Sequence, residues 1–245
     1  RFLVYLGDNL VPYDLKKFAN FRGSASILLA KVENPNRFGV AVIREGKVVK
    51  LVEKPKEPIS EYALVGVYAF TREVFDVIEK LKPSWRGELE ITDAIQGLID
   101  EGKEVSYEIV DGWWKDTGTP RDILEANAFL LDKHAERRIE GVVENSTVDG
   151  RVIVEKGAVI KNSVVRGPVY IGRSTKIMNS YIGPFTSIGD SCEITDSEIE
   201  HSVILDNVKM KGVYLMDSLI GNNSTVEKGN RWHKLIIGEN SSVVL

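Results

Sequence analysis

Ile160-Lys161-Asn162-Ser163, Ile177-Met178-Asn179-Ser180 and Ile194-Thr195-Asp196-Ser197 are three copies of one pattern, each 17 residues after the last. Around them Val148, Val154, Ile160, Val165, Ile171, Ile177, Ile182, Ile188, Ile194 and Ile199 follow at steps of 6, 6, 5, 6, 6, 5, 6, 6 and 5. A chain that turns three corners per coil sends one aliphatic side chain inward per side, and stacked coils then share a continuous core. The spacing therefore predicts a left-handed parallel β-helix of hexapeptide type over residues 141–245. Leu215-Met216-Asp217-Ser218 reads as a further copy of the five-residue side. Ile236-Ile237-Gly238-Glu239-Asn240 re-enters the pattern after a looser stretch with Arg231, Trp232 and His233. An immunoglobulin-like sandwich would alternate with irregular turns and show no such column.

Upstream, residues 1–140 read differently. Short apolar runs alternate with amphipathic segments, as in an α/β layer. Phe2 to Leu6, Ser26 to Val32 and Val65 to Phe70 read as strands. Arg37 to Ile43 and Lys47 to Glu53 flank Glu45-Gly46, a hairpin signal. Helices are expected at Arg72 to Lys80, Thr92 to Glu101 and Pro120 to Arg138. The last opens on Pro120, ends in Lys133, His134, Arg137 and Arg138, and is expected to bridge the two halves. Its cations suit either a phosphate patch or a solvated face that complements the helix dipole.

The 245 residues are 43% hydrophobic and 28% charged, with a formal charge of -4. That net charge argues against a general nucleic-acid or anionic-membrane binder, so any phosphate site must be local. One cysteine, Cys192, excludes an intramolecular disulfide and a thiolate metal cage, and fits a reducing compartment. No apolar run reaches membrane-spanning length and no signal pattern opens the chain, so a cytoplasmic protein is expected.

The chemistry-bearing residues lie in the first half. Asp8, in Leu6-Gly7-Asp8-Asn9, and Asp116, in Trp114-Lys115-Asp116-Thr117-Gly118-Thr119, each follow an apolar or aromatic run at a strand end. A short carboxylate placed there can hold a hard divalent cation against a substrate phosphate. Glycine with Asp or Asn is also ordinary turn chemistry, and Asp116 could cap the following helix. Glu53-Lys54-Pro55 ends a strand, where a surface ion pair is the plain alternative. Arg86, before Gly87-Glu88-Leu89-Glu90-Ile91-Thr92-Asp93, could fork onto a phosphate, while the acids read as structural partners of a helix N-terminus. His134, His201 and His233 lack the pairing of a metal site. Cys192 reads as packing rather than a nucleophile.

Together these segments resemble the sugar-1-phosphate nucleotidylyltransferases, most closely the long form of the glucose-1-phosphate thymidylyltransferases. The resemblance implies a Rossmann-like nucleotidyltransferase domain, here its C-terminal part, followed by the β-helix. It implies Mg²⁺ held by Asp8 and Asp116, Glu53 on sugar hydroxyls, and Lys54 and Arg86 as catalytic cations on the phosphates. Leu6, Phe38, Gly39, Leu64, Gly66 and Tyr68 would complete the substrate site. The substrates would be a nucleoside triphosphate, with dTTP first, and glucose 1-phosphate.

The family's glycine-rich loop with its Thr-Arg, and the strands that read the base, have no counterpart here. The chain is therefore expected to be a fragment, inactive alone and unstable or partly open in its first half. A homo-oligomer through the β-helix is expected, because exposed coil edges favour stacking. Two other functions stay open. One is a hexapeptide acyltransferase or bifunctional enzyme using His201 as base; the other is a non-catalytic assembly or regulatory module.

Overall fold

The computed structural model describes residues 1–227, 232–233, 235–240 and 242–244. Arg231 and the side chains of Trp232 and His233, named in the looser stretch, lie outside the described residues. Two compact units divide the chain, Arg1–Thr117 and Gly118–Leu245.

The first unit runs β1 (Phe2–Tyr5), β2 (Asn9–Leu10), α1 (Leu15–Phe18), β3 (Ala25–Lys31), β4 (Gly39–Arg44) and β5 (Lys47–Glu53). It continues with β6 (Tyr62–Phe70), α2 (Glu73–Ile78), α3 (Ile91–Asp100), β7 (Val105–Ile109) and β8 (Lys115–Asp116). The main sheet has the order β5-β4-β6-β3-β7, with β1 against β6. Strand β7 is parallel to β3, whereas β6 is antiparallel to its neighbours. Glu45 and Gly46 turn the β4–β5 hairpin with φ of 49° and 73°, the left-handed pair that a two-residue turn requires.

Successive side chains in β3 and β6 point to opposite faces. Ile27, Leu29, Leu64, Tyr68 and Phe70 meet Val74, Ile95 and Leu98 of α2 and α3. Leu28, Ala30, Val65, Val67 and Ala69 face the other way, onto Phe18, Phe21 and Val110. Cover on both faces is why these strands read as unbroken apolar runs. The apolar run at Phe2 to Leu6 has a different outcome. Phe2, Leu3, Tyr5 and Leu6 are 37–41% exposed, because among the described residues β1 pairs only with β6.

The second unit opens with α4 (Pro120–His134). Its cap is Thr119, whose Oγ1 accepts from the Asp122 N–H at 3.2 Å, and Pro120 supplies the first turn. The helix stops at His134, four residues before the expected Arg138. Arg138–Ile139 pairs instead with Ile153-Val154, so the first coil has already captured this segment. Arg138 there bridges Glu140 and Glu155, both at 2.8 Å. Within this unit Asn127 fixes α4 to the coils, donating to Phe185 O at 2.9 Å and accepting from Ser187 Oγ at 2.5 Å.

The coils form three parallel sheets, a β-helix. Ile160, Ile177 and Ile194 are register partners, as are Val148, Val165, Ile182 and Ile199; the two columns share one buried core. At one corner Asn145, Asn162, Asn179 and Asp196 take φ of 46°, 49°, 50° and 52°, a region that Asn and Asp tolerate. Beside them Ser163 Oγ accepts from Ser180 N–H and Ser180 Oγ from Ser197 N–H, at 3.0 and 3.1 Å. The serine column thus satisfies corner amides that would otherwise be buried without partners.

One tetrapeptide was misplaced by the repeat. Leu215 pairs with Ile199, and Met210 with Ile194, so Leu215-Met216-Asp217-Ser218 stacks on Ile199-Glu200-His201-Ser202 in the next sheet. From Ile194 the step is 16, and one residue fewer shifts the apparent phase. Cys192 is fully buried, with Sγ 3.0 Å from Leu205 O, and burial pushes its thiol up. Among the described residues no helix is long and apolar enough to cross a membrane.

Candidate active site

Strands β2 and β8 form a two-stranded ribbon in which Asn9 faces Asp116 and Leu10 faces Lys115. Asp8 sits at the ribbon's end, where its carbonyl accepts from Thr117 N–H at 2.7 Å and Thr117 Oγ1 at 3.0 Å. Antiparallel pairing thus brings together two aspartates 108 positions apart in the chain. Neither belongs to a cluster of three or more His, Cys, Asp or Glu side chains among the described residues.

The ribbon borders a pocket of about 200 Å³ within the first unit. Its wall contains Leu6, Asp8, Phe38, Gly39, Glu53, Lys54, Leu64, Gly66, Tyr68 and Asp116, ten of the residues singled out from sequence. Asn9, Arg37, Glu90, Ile91, Thr92 and Trp114 line it as well. Trp114 and Phe38 place their ring centroids 5.2 Å apart in that wall. Tyr68 contributes its phenol from the buried strand β6; burial first, and then the Glu53 and Asp8 carboxylates, hold that phenol above its ordinary value.

Glu53 ends β5, and β4 delivers Gly39 opposite it. Glu53 Oε2 accepts from Thr92 Oγ1 at 3.2 Å. A Cβ on Gly39 would stand 2.5 Å from Thr92 Cγ2 and 3.0 Å from Glu53 Oε2. Glycine is needed there for close approach, whatever the backbone angles. Burial, reinforced by Glu90, raises the Glu53 carboxyl above the usual range, while Thr92, Lys54 and Arg86 oppose the rise.

Lys54 has φ of 41°, and it precedes Pro55, where helical backbone is disfavoured. A long side chain in that region costs about 1–3 kcal/mol and persists only where its surroundings hold it. Here Lys54 N–H donates to Phe38 O at 3.0 Å.

Arg86 stands behind the wall rather than in it. Its Nη1 lies 3.2 Å from Glu90 Oε1 and 3.7 Å from Glu53 Oε1, and Nη2 lies 3.1 Å from Glu88 Oε2. The Glu90 side chain is only 9% exposed and also accepts from Ser84 Oγ at 2.9 Å. Glu90 is therefore a buried counter-charge that holds the guanidinium next to Glu53.

The second unit carries a separate acid–base pair. His201 Nδ1 and Asp217 Oδ1 are 2.6 Å apart, brought together because these corners stack in successive coils.

A family model for nucleotidyl transferases matches residues 2–133, and one for the GMPPB C-terminal domain matches residues 165–244. The low-salt glycan biosynthesis nucleotidyltransferase Agl11 of Haloferax volcanii is 45% identical, aligning with 100% of this chain and 72% of its own. A glucose-1-phosphate thymidylyltransferase of Streptomyces griseus is 43% identical over 98% of this chain and 70% of its own. The bifunctional protein GlmU of Methanocaldococcus jannaschii is also 43% identical, over 91% of this chain but 55% of its own.

Proposed function

The chain belongs to the nucleotidyl transferase family as a sugar-1-phosphate nucleotidylyltransferase, and on that premise we propose that it joins dTTP to glucose 1-phosphate. The observation that carries the reading is the convergence of Asp8, Asp116, Glu53 and Lys54 on one pocket. The base and the sugar follow the Streptomyces griseus thymidylyltransferase, of which this chain matches a larger share than it does of GlmU.

Two carboxylates with no third His, Cys, Asp or Glu clustered beside them among the described residues suit Mg²⁺, which keeps waters and shares its coordination with substrate phosphates. Asp8 and Asp116 would hold it, and when bound it neutralises charge on the triphosphate. In the reaction an oxygen of the sugar phosphate attacks the α-phosphorus. The α–β anhydride bond breaks, and pyrophosphate leaves with its electron pair. The nucleophile is already an anion, so no general base is required.

Glu53 would accept sugar hydroxyls, with Thr92 fixing its orientation. Lys54 would place a point charge on the sugar phosphate, and Arg86 would add a second cation from its carboxylate cradle. Phe38, Gly39, Leu64, Gly66, Tyr68 and Leu6 would shape the sugar site. The buried, unpaired Cys192 suits a reducing cytoplasm, and we place self-association on the β-helix. The test is pyrophosphate release from each nucleoside triphosphate in turn with glucose 1-phosphate. The highest kcat/KM is expected with dTTP; faster turnover of another triphosphate would overturn the base assignment.

Acyl transfer is the second reading, and the His201–Asp217 pair is its one specific support. Acyl-CoA consumption lost in His201→Ala would establish it.

A further inference from the structure

Asn9 is 5% exposed although its neighbour Asp8 is exposed and its strand is two residues long. Its side chain is held from three directions. Nδ2 donates to Asp8 Oδ1 at 2.9 Å. Oδ1 accepts from Gly66 N–H at 3.0 Å and from Trp114 Nε1–H at 2.8 Å. The orientation of the amide is forced: two N–H donors face one atom, which must be the oxygen, and a carboxylate faces the other, which must be the nitrogen. With two lone pairs, that oxygen has no acceptor capacity left.

These partners sit on different elements. Gly66 belongs to β6 of the main sheet, Trp114 leads into β8, and Asp8 leads into β2. A Cβ on Gly66 would come within 2.5 Å of Asn9 Nδ2 and 2.6 Å of Asn9 Cγ, so the sheet leaves a notch that the amide fills.

We propose that Asn9 is a positioning residue of the nucleotidyl-transfer site: it restrains one oxygen of Asp8, leaving Oδ2 for the divalent cation, and locks the Trp114 indole into the pocket wall. The proposal rests on the reading of Asp8 as a metal-facing carboxylate. A hydrogen bond to a charged ligand fixes its rotamer, and losing such a partner lowers metal affinity by about 10–100-fold.

The test uses Asn9→Ala, Gly66→Ala and Trp114→Phe in the natural full-length protein. Gly66→Ala displaces the Asn9 amide sterically and leaves its chemistry in place, which covers the case in which Asn9→Ala fails to fold. Two quantities are measured: the Mg²⁺ concentration for half-maximal turnover, and Mn²⁺ binding in the presence of a nucleoside triphosphate, followed by electron paramagnetic resonance. Asn9→Ala and Gly66→Ala are expected to raise the half-saturating Mg²⁺ and weaken Mn²⁺ binding about ten-fold or more. Trp114→Phe keeps the bond to Asp8 and should shift both by far less than the about ten-fold loss of a carboxylate partner, while raising KM for the sugar phosphate. Wild-type metal dependence in both Asn9→Ala and Gly66→Ala, with the parent active, would overturn the role of Asn9 and leave the transferase reading standing. A folded parent with neither turnover nor Mn²⁺ binding would remove the reading of Asp8 and this inference with it.

Discussion

Arg86→Met tests the electrostatics of the pocket. The substitution keeps an apolar stem and deletes the cation shared by Glu53, Glu88 and Glu90. Glu53 and Glu90 are 15% and 9% exposed, so water cannot readily replace the guanidinium around either. Removing one member of a well-buried pair costs about 3–5 kcal/mol. With Arg86 itself 24% exposed and Lys54 close to Glu53, about 2–4 kcal/mol is expected at neutral pH.

The pH dependence follows from the direction in which Glu53 is already displaced. Its carboxyl is raised in the folded chain by burial and by Glu90, and loss of Arg86 raises it further. A carboxyl raised on folding contributes stability that is complete below its unfolded value, about 4.3. That contribution disappears as pH rises through the folded value. The deficit of Arg86→Met should therefore be largest near pH 7.5 and shrink toward pH 5. Adding Glu90→Gln keeps the bond to Ser84 and removes one of the two opposed charges, so it should recover at least about half of the loss. Urea unfolding of parent, single and double variants at both pH values reads these differences directly. A loss below about 0.5 kcal/mol, typical of an exposed pair, with no pH dependence and no recovery in the double variant, would refute the claim that Arg86 neutralises a largely buried acidic pair.

Two further outcomes follow from the same pocket. Since ionised Glu53 accepts hydroxyl hydrogens more strongly than the neutral acid, KM for the sugar phosphate should climb as pH falls into its raised range, with kcat less affected; Glu53→Gln should flatten that profile, and an unchanged profile would detach Glu53 from the sugar. Gly39→Ala places a methyl group 2.5 Å from Thr92 Cγ2 and 3.0 Å from Glu53 Oε2. It should cost about 1–3 kcal/mol of stability and raise KM for the sugar phosphate; a variant with wild-type KM and stability would show that the close packing is not required.

The β-helix was legible because its signal is long-range and redundant: a wrong inward residue in any coil would break a column of buried aliphatics. The same redundancy hid the change of step after Ile194, since Leu215-Met216-Asp217-Ser218 looks alike on either sheet. The end of α4 was misjudged because Arg137 and Arg138 suit a helix terminus, and only pairing of Arg138–Ile139 with a strand in the next coil draws them out. In the first unit the aspartates, Glu53 and Lys54 stood out as charges at strand ends. Asn9, Thr92, Trp114 and Glu90 did not, because turn, cap or core chemistry explains each one locally. Their roles arise from contacts over 39 to 105 positions in the chain, as in Thr92 to Glu53 and Trp114 to Asn9, or from an ion pair within a loop whose depth sequence does not reveal. Gly66 carried a usable hint, since a glycine inside an apolar strand suggests a close neighbour.

The most direct measurement of the central claim is pyrophosphate release by the natural full-length protein with glucose 1-phosphate, a nucleoside triphosphate and Mg²⁺, beside Asp8→Ala and Asp116→Ala. The account predicts turnover in the parent, strongest with dTTP, and its loss in both variants while their thermal transitions stay near that of the parent. Undiminished turnover in folded Asp8→Ala and Asp116→Ala would contradict the assignment of the aspartate pair, and a folded parent inactive with every triphosphate would contradict the proposed reaction.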